Sequence, residues 1–316
     1  MVGRNPFLAG KAKPVVVGHR GVPRLHQENT LAGFRRAVEL GVPAVELDVR
    51  LTADRQAVVF HDADLARMTG DSRDVSSVTW DELSQIRIRR EIPVGLDATG
   101  SAMVMRYERE ERIPLFADVL AELGDKVAVN VELKLDLPRW WAIDIAEIAA
   151  QVIAEAKAEE RVIVTSFDPR KLRAAHRRRP RLATGFCFDD TMLNFASFVL
   201  DRLPAVPARL GFHERHPHPN ARRLLNRILD SGIIGRLLGT RVVGAEHTLV
   251  GADTVERMHR KGIAIGTHTL FPLGGSAIKP LAPSAATAHE VARLVALGVD
   301  WIETDDPERL LPLVGY

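Results

Sequence analysis

Four short runs of the sequence contain the residue types that cleave phosphate esters with the help of a metal ion. They supply carboxylates, two imidazoles and two cations, and each run ends or follows an apolar stretch typical of a buried strand: His19-Arg20-Gly21, Glu46-Leu47-Asp48-Val49, His61-Asp62 and Glu132-Leu133-Lys134. In such chemistry a divalent ion holds an anionic oxygen, histidines transfer protons, and cations neutralise the remaining charge.

The spacing of the acidic residues indicates a metal site. Successive side chains of a strand point to opposite faces, so Glu46 and Asp48 project to one side, about 7 Å apart along the backbone. Glu132 and Lys134 share a face for the same reason. Two carboxylates at one strand end repel each other unless a cation lies between them. A third carboxylate from another strand would complete an all-oxygen site, which suits Mg²⁺ or Ca²⁺ rather than zinc.

In their order along the chain, these motifs resemble the glycerophosphodiester phosphodiesterase family. The N-terminal part of the resemblance consists of His19-Arg20-Gly21, Glu28-Asn29-Thr30, Glu46-Leu47-Asp48-Val49 and residues 58–62. The C-terminal part consists of Ile113-Pro114, Glu132-Leu133-Lys134, Ser166-Phe167-Asp168, Gly298-Val299-Asp300 and Thr304-Asp305. The resemblance covers residues 14–313 and implies hydrolysis of glycerophosphodiesters to sn-glycerol 3-phosphate and an alcohol.

The resemblance also implies roles for individual residues. Glu46, Asp48 and Glu132 would bind one divalent cation, Mg²⁺ or Ca²⁺. Arg20 and Lys134 would hold the non-bridging phosphate oxygens, the first as a planar fork and the second as a point charge.

Two histidines and one further acid complete the implied site. His19 and His61 would be the general acid and the general base, in an order that the sequence leaves open. Glu28 precedes a predicted helix, and the resemblance gives it a supporting role near the metal.

Alternation of short apolar runs with longer helical segments predicts a (β/α)₈ TIM barrel. The eight predicted strands cover residues 15–17, 44–48, 128–133, 162–166, 183–187, 242–246, 263–267 and 301–304. Barrels of this kind carry their chemistry at the carboxyl ends of the strands, where all the motifs above fall. The main predicted helices cover residues 31–40, 115–123, 143–158 and 288–297.

One apolar run does not fit the barrel. Residues 57–61 follow strand two after a linker that is too short for a parallel crossover, so residues 49–61 are predicted to form a hairpin that returns His61 beside Glu46 and Asp48. Residues 62–112 are then an insertion between strands two and three, resembling the small subdomain that the family places over the barrel mouth. We expect one domain, residues 1–316, with this cap inside it.

Composition excludes several other classes of protein. With 43 basic and 41 acidic residues the net charge is only +2, so nothing indicates a nucleic-acid partner. The single cysteine, Cys187, excludes an internal disulfide. No stretch has the length of a membrane span and no signal-peptide core is present, so a cytoplasmic location is expected. The sequence does not indicate an oligomeric state.

The chain departs from the family pattern at two places. At the end of strand seven, where relatives commonly carry a tryptophan, this chain has His268, which is predicted to line the glycerol or leaving-group pocket. The stretch 188–241 is longer than a plain loop. Its leucines and arginines around 222–229 predict an ordinary barrel helix, with a basic surface for peripheral membrane contact as the weaker alternative. His213, His216 and His218 alternate with prolines, which predicts a solvated loop.

Three competing functions remain open. A lysophospholipase D on the same fold would use the same site on an acylated substrate. An enolase-type barrel would need a separate capping domain and a lysine base, and neither is evident. A non-catalytic phosphate-binding barrel would be expected to lack a ligand or a histidine, whereas this chain has them all.

Overall fold

The protein is a closed barrel of eight parallel strands. The computed structural model describes residues 5–8, 10, 12–134, 142–189, 227–228, 239–275 and 281–316. The barrel strands are β1 (Val15–Gly18), β2 (Ala44–Leu51), β8 (Ala128–Leu133), β9 (Val162–Ser166), β10 (Ala183–Phe188), β11 (Val242–Glu246), β12 (Ala264–Leu270) and β13 (Trp301–Thr304). Each pairs in parallel with the next, and β1 closes the ring by pairing with both β13 and β2. The predicted TIM barrel is thereby confirmed, and the strands follow the predicted runs.

Helices cover the outside of the barrel and fill the insertion. They are α1 (Leu31–Glu39), α2 (Ala66–Thr69), α3 (Trp80–Leu83), α4 (Phe116–Leu123), α5 (Asp144–Glu155), α6 (Pro169–Arg178), α7 (Ala252–Arg260), α8 (Ser284–Leu297) and α9 (Pro307–Val314). The Thr30 hydroxyl caps α1 by accepting the Gly33 N–H, and Gly41 stops the helix at φ 71°. Among the described residues, no helix is both long and apolar enough to cross a membrane.

The predicted hairpin after strand two is present. β3 (Ala57–Val59) pairs antiparallel with the end of β2, so that Val49 lies opposite Val59. Arg55 in the connecting turn adopts φ 65°, a left-handed conformation that is common for glycine and rare for other residues. The hairpin therefore keeps its geometry although this chain has arginine at the turn position.

Residues 62–112 build two small antiparallel sheets. β4 (Arg87–Ile88) pairs with β7 (Glu111–Arg112), and β5 (Glu91–Leu96) pairs with β6 (Ala102–Arg106). Their apolar side chains pack with Val58 of β3 and with Phe60 into a cluster separate from the one between barrel and helices. The insertion therefore has a small core of its own at the hairpin.

Apolar side chains from the first halves of the strands fill the interior of the barrel at that end. Trp301 is the largest of them, and the Phe7 ring meets it edge to face with centroids 5.8 Å apart. Gly266 lies opposite Trp301 in the pairing of β12 with β13. A Cβ at Gly266 would come within 1.7 Å of the indole, so only glycine leaves room for this ring.

We expect Gly266→Ala to destabilise the fold by about 1–3 kcal/mol or more, the usual cost of overpacking a core. Urea titration of the free energy of unfolding measures this loss. Gly244→Ala is the matched control, because Gly244 lies opposite Gly266 on β11 and a Cβ there would meet only Cys187 Sγ at 3.4 Å. Equal stability of Gly266→Ala and the wild type would contradict this account of the barrel interior.

The predicted helical face around 222–229 lies outside the described residues, except for Arg227 and Ile228, which are helical. The loop with His213, His216 and His218 lies wholly outside them.

Candidate active site

The carboxyl ends of the strands bring the predicted residues together. His19 and Arg20 follow β1, Glu46 and Asp48 lie on β2, and Glu132 lies on β8. The strands are parallel neighbours, so these side chains meet at one end of the barrel.

Three carboxylates form the centre of the site. One oxygen from each of Glu46, Asp48 and Glu132 lies within 4.8 Å of the others. Asp48 is opposite Glu132 in the pairing of β2 with β8, which explains why acids far apart in sequence meet here. Glu46 and Asp48 are buried, so their charges need local compensation.

Two cations supply part of that compensation. Lys134 Nζ lies 2.7 Å from Glu132 Oε1 and 3.3 Å from Asp48 Oδ1. Arg20 Nε lies 3.2 Å from Asp48 Oδ2, and the Arg20 backbone N–H donates to Glu46 Oε2 at 2.9 Å. Both predicted phosphate-binding cations therefore lie against the carboxylates, within reach of an anion bound beside them.

Two residues of the site hold left-handed backbone. Arg20 has φ 53° and Asn29 has φ 58°. The Asn29 side chain donates to Asp48 Oδ2 at 2.8 Å and accepts the Asp48 N–H at 3.3 Å. Such conformations cost energy and concentrate at functional sites, where surrounding contacts enforce them.

The carboxylate cluster fits a divalent cation. Buried Glu46 Oε1 has no hydrogen-bond partner among the described residues. Burial and the charges of Asp48, Glu303 and Glu132 raise the pKa of Glu46 well above its ordinary value. At Asp48, burial acts in the same direction, but Lys134 and other cations lower its pKa. The protein's own cations thus leave this centre short of positive charge, as expected for an oxygen-lined metal site.

His19 is held by an aspartate from the other end of the chain. Its Nδ1 lies 2.5 Å from Asp305 Oδ1, and Asp305 Oδ2 accepts the Leu273 N–H at 2.8 Å. The other ring nitrogen, Nε2, lies 3.9 Å from oxygens of both Glu46 and Glu303. With Nδ1 bonded to the aspartate, Nε2 is the atom that faces the pocket.

His61 is held by a charged network that reaches into the insertion. Its Nδ1 lies 2.7 Å from Asp62 Oδ1, and Arg67 Nε donates to Asp62 Oδ2 at 2.6 Å. Arg67 also donates to both oxygens of Glu28 at 2.6 and 3.0 Å, and Glu28 accepts from Arg20 Nη1 at 2.9 Å. Glu28 therefore contacts the two arginines around the cluster instead of lying among the carboxylates.

The pKa values of the two imidazoles are shifted in opposite directions. Burial and the Arg20 charge disfavour protonation of both rings. At His19, Asp305 outweighs these effects and the pKa is raised above its ordinary value. At His61, Asp48 opposes them but does not outweigh them, and the pKa is lowered.

His268 lies in an inner chamber of about 380 Å³ at the barrel mouth. Glu132 of the carboxylate centre lines this chamber, and so do His19, Arg20 and His61. Glu246 and Cys187 also line it. His268 Nε2 lies 3.2 Å from the Phe188 carbonyl oxygen. The indole of Trp301, from β13, lines the same chamber, so an indole is present here although the strand-seven position carries histidine.

Sequence reasoning assigned no role to three residues that contact the site. Asp305 and Glu303 lie at the end of β13, a strand-end position like that of His19, and this signal could have found them. Burial and Glu132 raise the pKa of Glu303 to about 7, against the opposing effect of His19. Arg67 had no comparable signal, because its partner Glu28 is 39 residues away.

Ser166 and Asp168 have structural contacts here. The Ser166 hydroxyl donates to the Leu133 carbonyl at 2.8 Å, and Asp168 caps α6 by accepting the Arg170 N–H. Only Phe167 of that run lines the inner chamber.

Comparisons with known proteins identify a family and several relatives. The sequence model of the glycerophosphoryl diester phosphodiesterase family matches residues 19–309. A glycerophosphodiester phosphodiesterase of Caldanaerobacter subterraneus subsp. tengcongensis is 28% identical over 303 residues, 96% of this chain and 98% of the relative. A lysophospholipase D of Rattus norvegicus is 26% identical over 294 residues, 93% of this chain and 84% of the relative.

A solved structure shares the fold. It is a phosphodiesterase of Oleispira antarctica in complex with the product sn-glycerol-3-phosphate, and it superposes with a TM-score of 0.62 at 18% identity, covering 96% of this chain and 98% of that one.

Proposed function

The chain belongs to the glycerophosphoryl diester phosphodiesterase family, and on that premise we propose that it hydrolyses glycerophosphodiesters to sn-glycerol 3-phosphate and an alcohol with one divalent cation, Mg²⁺ or Ca²⁺. One observation carries the proposal: two imidazoles, each held by an aspartate, face three carboxylates, two of them buried, that are flanked by two cations. The relative that is named for this activity supports it.

Glu46, Asp48 and Glu132 would hold the cation. When bound, it would act as a Lewis acid on a phosphoryl oxygen and help to neutralise the charge of the transition state. Arg20 and Lys134 orient the phosphate by hydrogen bonds to its non-bridging oxygens, and their present carboxylate partners keep both cations aimed at that place.

The opposite pKa shifts divide the proton transfers between the histidines. His61, with its lowered pKa, is neutral over a wider pH range and accepts the proton of the attacking group, the glycerol hydroxyl next to the ester, as its oxygen bonds to phosphorus. His19, with its raised pKa, stays protonated to a higher pH and donates to the oxygen of the leaving alcohol as its bond to phosphorus breaks. Water then opens the resulting cyclic phosphate to sn-glycerol 3-phosphate, with the two rings exchanging these roles. Asp62 and Asp305 fix the ring orientations. Arg67 positions Asp62.

A substrate panel tests this function. Glycerophosphocholine, glycerophosphoethanolamine and lysophosphatidylcholine are assayed with and without a chelator, followed by addition of Mg²⁺ or Ca²⁺. We expect glycerol 3-phosphate from the first two substrates, loss of activity with the chelator, and recovery with a divalent ion. No turnover of any substrate would favour a phosphate-binding barrel.

A lysophospholipase D activity is the second candidate, because a relative of that name matches 93% of the chain. Exclusive turnover of lysophosphatidylcholine in the panel would establish it. The polar side chains in the described part of the inner chamber, Glu246 and His268 among them, favour the free hydroxyls of an unacylated glycerol.

We expect His268→Trp to change substrate choice more than chemistry. Because the larger indole takes up space in the inner chamber, discrimination between glycerophosphocholine and lysophosphatidylcholine should shift by about 1–3 kcal/mol, the range typical of one pocket contact. The measurement is kcat/KM for both substrates, with kcat on the preferred one as the check on chemistry. An unchanged ratio would place His268 outside the substrate pocket, and total loss of turnover would place it in the catalytic set.

A further inference from the structure

A second chamber opens from the same histidines on the side of the insertion. This outer chamber has a volume of about 440 Å³ and shares His19, Arg20 and His61 with the inner one. Its walls include Pro23, Pro93, Val94 and Leu273, which are apolar. The two histidines therefore lie where an outer chamber with apolar walls meets an inner chamber lined by more polar side chains.

The outer wall is a direct join between the insertion and the segment after β12. Leu96 and Gly275 exchange both backbone hydrogen bonds, each at 2.8 Å. Two glycines permit this approach: a Cβ at Gly95 would lie 2.4 Å from the Gly275 oxygen, and one at Gly274 would lie 2.0 Å from the Val94 oxygen. We call this join, residues 94–96 with 274–275, the strap.

The strap leads directly to the catalytic centre. Leu273, the residue before it, donates its N–H to Asp305, which holds His19. On the facing side, Arg67 holds Asp62 and through it His61. The walls of the outer chamber are thus built from the same groups that orient the two rings.

We propose that the outer chamber binds the leaving alcohol, while the inner chamber binds the glycerol; this rests on the proposed function. In phosphoryl transfer the attacking oxygen, here that of the glycerol hydroxyl, and the oxygen of the leaving alcohol lie roughly in line on opposite sides of phosphorus. A phosphate at the shared junction, between His19, His61 and Arg20, therefore directs the two halves of the diester into different chambers.

The chemistry of the walls assigns the halves. Glycerol hydroxyls need hydrogen-bond partners, and Glu246 and Asn130 line the inner chamber. The outer chamber offers apolar walls, and both of its guanidinium groups, those of Arg20 and Arg67, are already bonded to carboxylates, so neither is left for a carboxylate on the alcohol. It suits a small alcohol without negative charge, such as choline or ethanolamine.

The test narrows the outer chamber by Pro93→Trp. Pro93 is exposed on the β5 hairpin and lines this chamber but not the inner one. We expect kcat/KM for glycerophosphocholine to fall by about tenfold or more relative to the methyl ester of glycerol 3-phosphate, the smallest leaving alcohol. Inhibition by sn-glycerol 3-phosphate, which lacks the alcohol, should be unchanged. His268→Trp should have the opposite pattern. It should raise the inhibition constant of sn-glycerol 3-phosphate and leave the ratio of kcat/KM between the two diesters unchanged.

Arg106→Trp is the matched control. It places the same side chain on the same hairpin, but Arg106 is 79% exposed and lies outside both chambers. It should behave as wild type. A second comparison uses the wild type alone: glycerophosphoethanolamine should be preferred to glycerophosphoserine, which differs by one carboxylate.

Each other outcome has a defined meaning. If Pro93→Trp lowers kcat/KM equally for glycerophosphocholine and the methyl ester, and also binds the product more weakly, the assignment of the chambers is reversed. A variant that is indistinguishable from Arg106→Trp would remove the outer chamber from substrate binding. A preference for glycerophosphoserine would overturn the proposed alcohol class. Failure of the wild type to cleave any diester would instead refute the proposed function.

Discussion

Glu132→Gln should lose its divalent cation and with it nearly all turnover. The substitution keeps the size of the side chain but removes the charge of one of the three carboxylates proposed to hold the ion. Changing groups that merely support a metal ligand costs about 10–100-fold in affinity, so loss of a ligand should cost at least about 100-fold. Titration calorimetry with Mg²⁺ and Ca²⁺ measures the affinity, and turnover is followed as a function of ion concentration.

Glu303→Gln is the informative comparison. Glu46 belongs to two groups of side chains whose geometry could hold an ion: one with Asp48 and Glu132, the other with His19 and Glu303. If the ion binds the first group, Glu303→Gln retains affinity while Glu132→Gln loses it. The opposite result would place the ion on His19 and rule out proton transfer by that ring. Near-normal turnover of Glu132→Gln in metal-stripped buffer would refute the metal requirement.

His19→Ala and His61→Ala should each lower kcat by about 10²–10⁴-fold, the usual contribution of a general acid or base. His259→Ala is a control, because this ring also bonds an aspartate, Asp300 at 2.8 Å, yet lines neither chamber. The metal content of each variant is measured alongside, so that a lost ion is not mistaken for a lost proton transfer.

The pH profile separates the two roles. In the wild type the rate should fall as pH decreases through the lowered pKa of His61, because the base becomes protonated. It should also fall as pH increases through the raised pKa of His19, because the acid loses its proton. The residual activity of His61→Ala should lack the acidic fall, and that of His19→Ala the alkaline one. Exchange of these patterns would exchange the roles, and wild-type kcat in either variant would exclude that ring from catalysis.

The barrel and the clustering of the carboxylates could be predicted because their signals are local. Each strand is a short apolar run, and the spacing of Glu46 and Asp48 already puts them on one face. The hairpin that returns to His61 followed from a linker too short for a helix. In these cases the relevant distance along the chain is a few residues.

The partners of the histidines could not be predicted in the same way. His19 and Asp305 are 286 residues apart, and only closure of the barrel brings them together. Arg67 lies in the insertion, and no periodicity in the sequence indicates that it contacts Glu28. The strap depends on two glycine-rich turns approaching within van der Waals distance, which neither turn shows alone. Long-range contacts of this kind can be identified only in the folded structure.

Closure of the barrel by pairing of β1 with β13 has a consequence for folding during synthesis on the ribosome. β1 is made long before its partner strand β13 and before Asp305, which follows His19 by 286 residues. At about 5–20 residues per second, His19 waits tens of seconds for the aspartate that orients it. During this time β1 has an unpaired edge, which is the kind of surface that draws strands of other chains into aggregates. The nascent chain is therefore inactive, and the β1 edge most in need of chaperone protection, until β13 emerges and pairs with it.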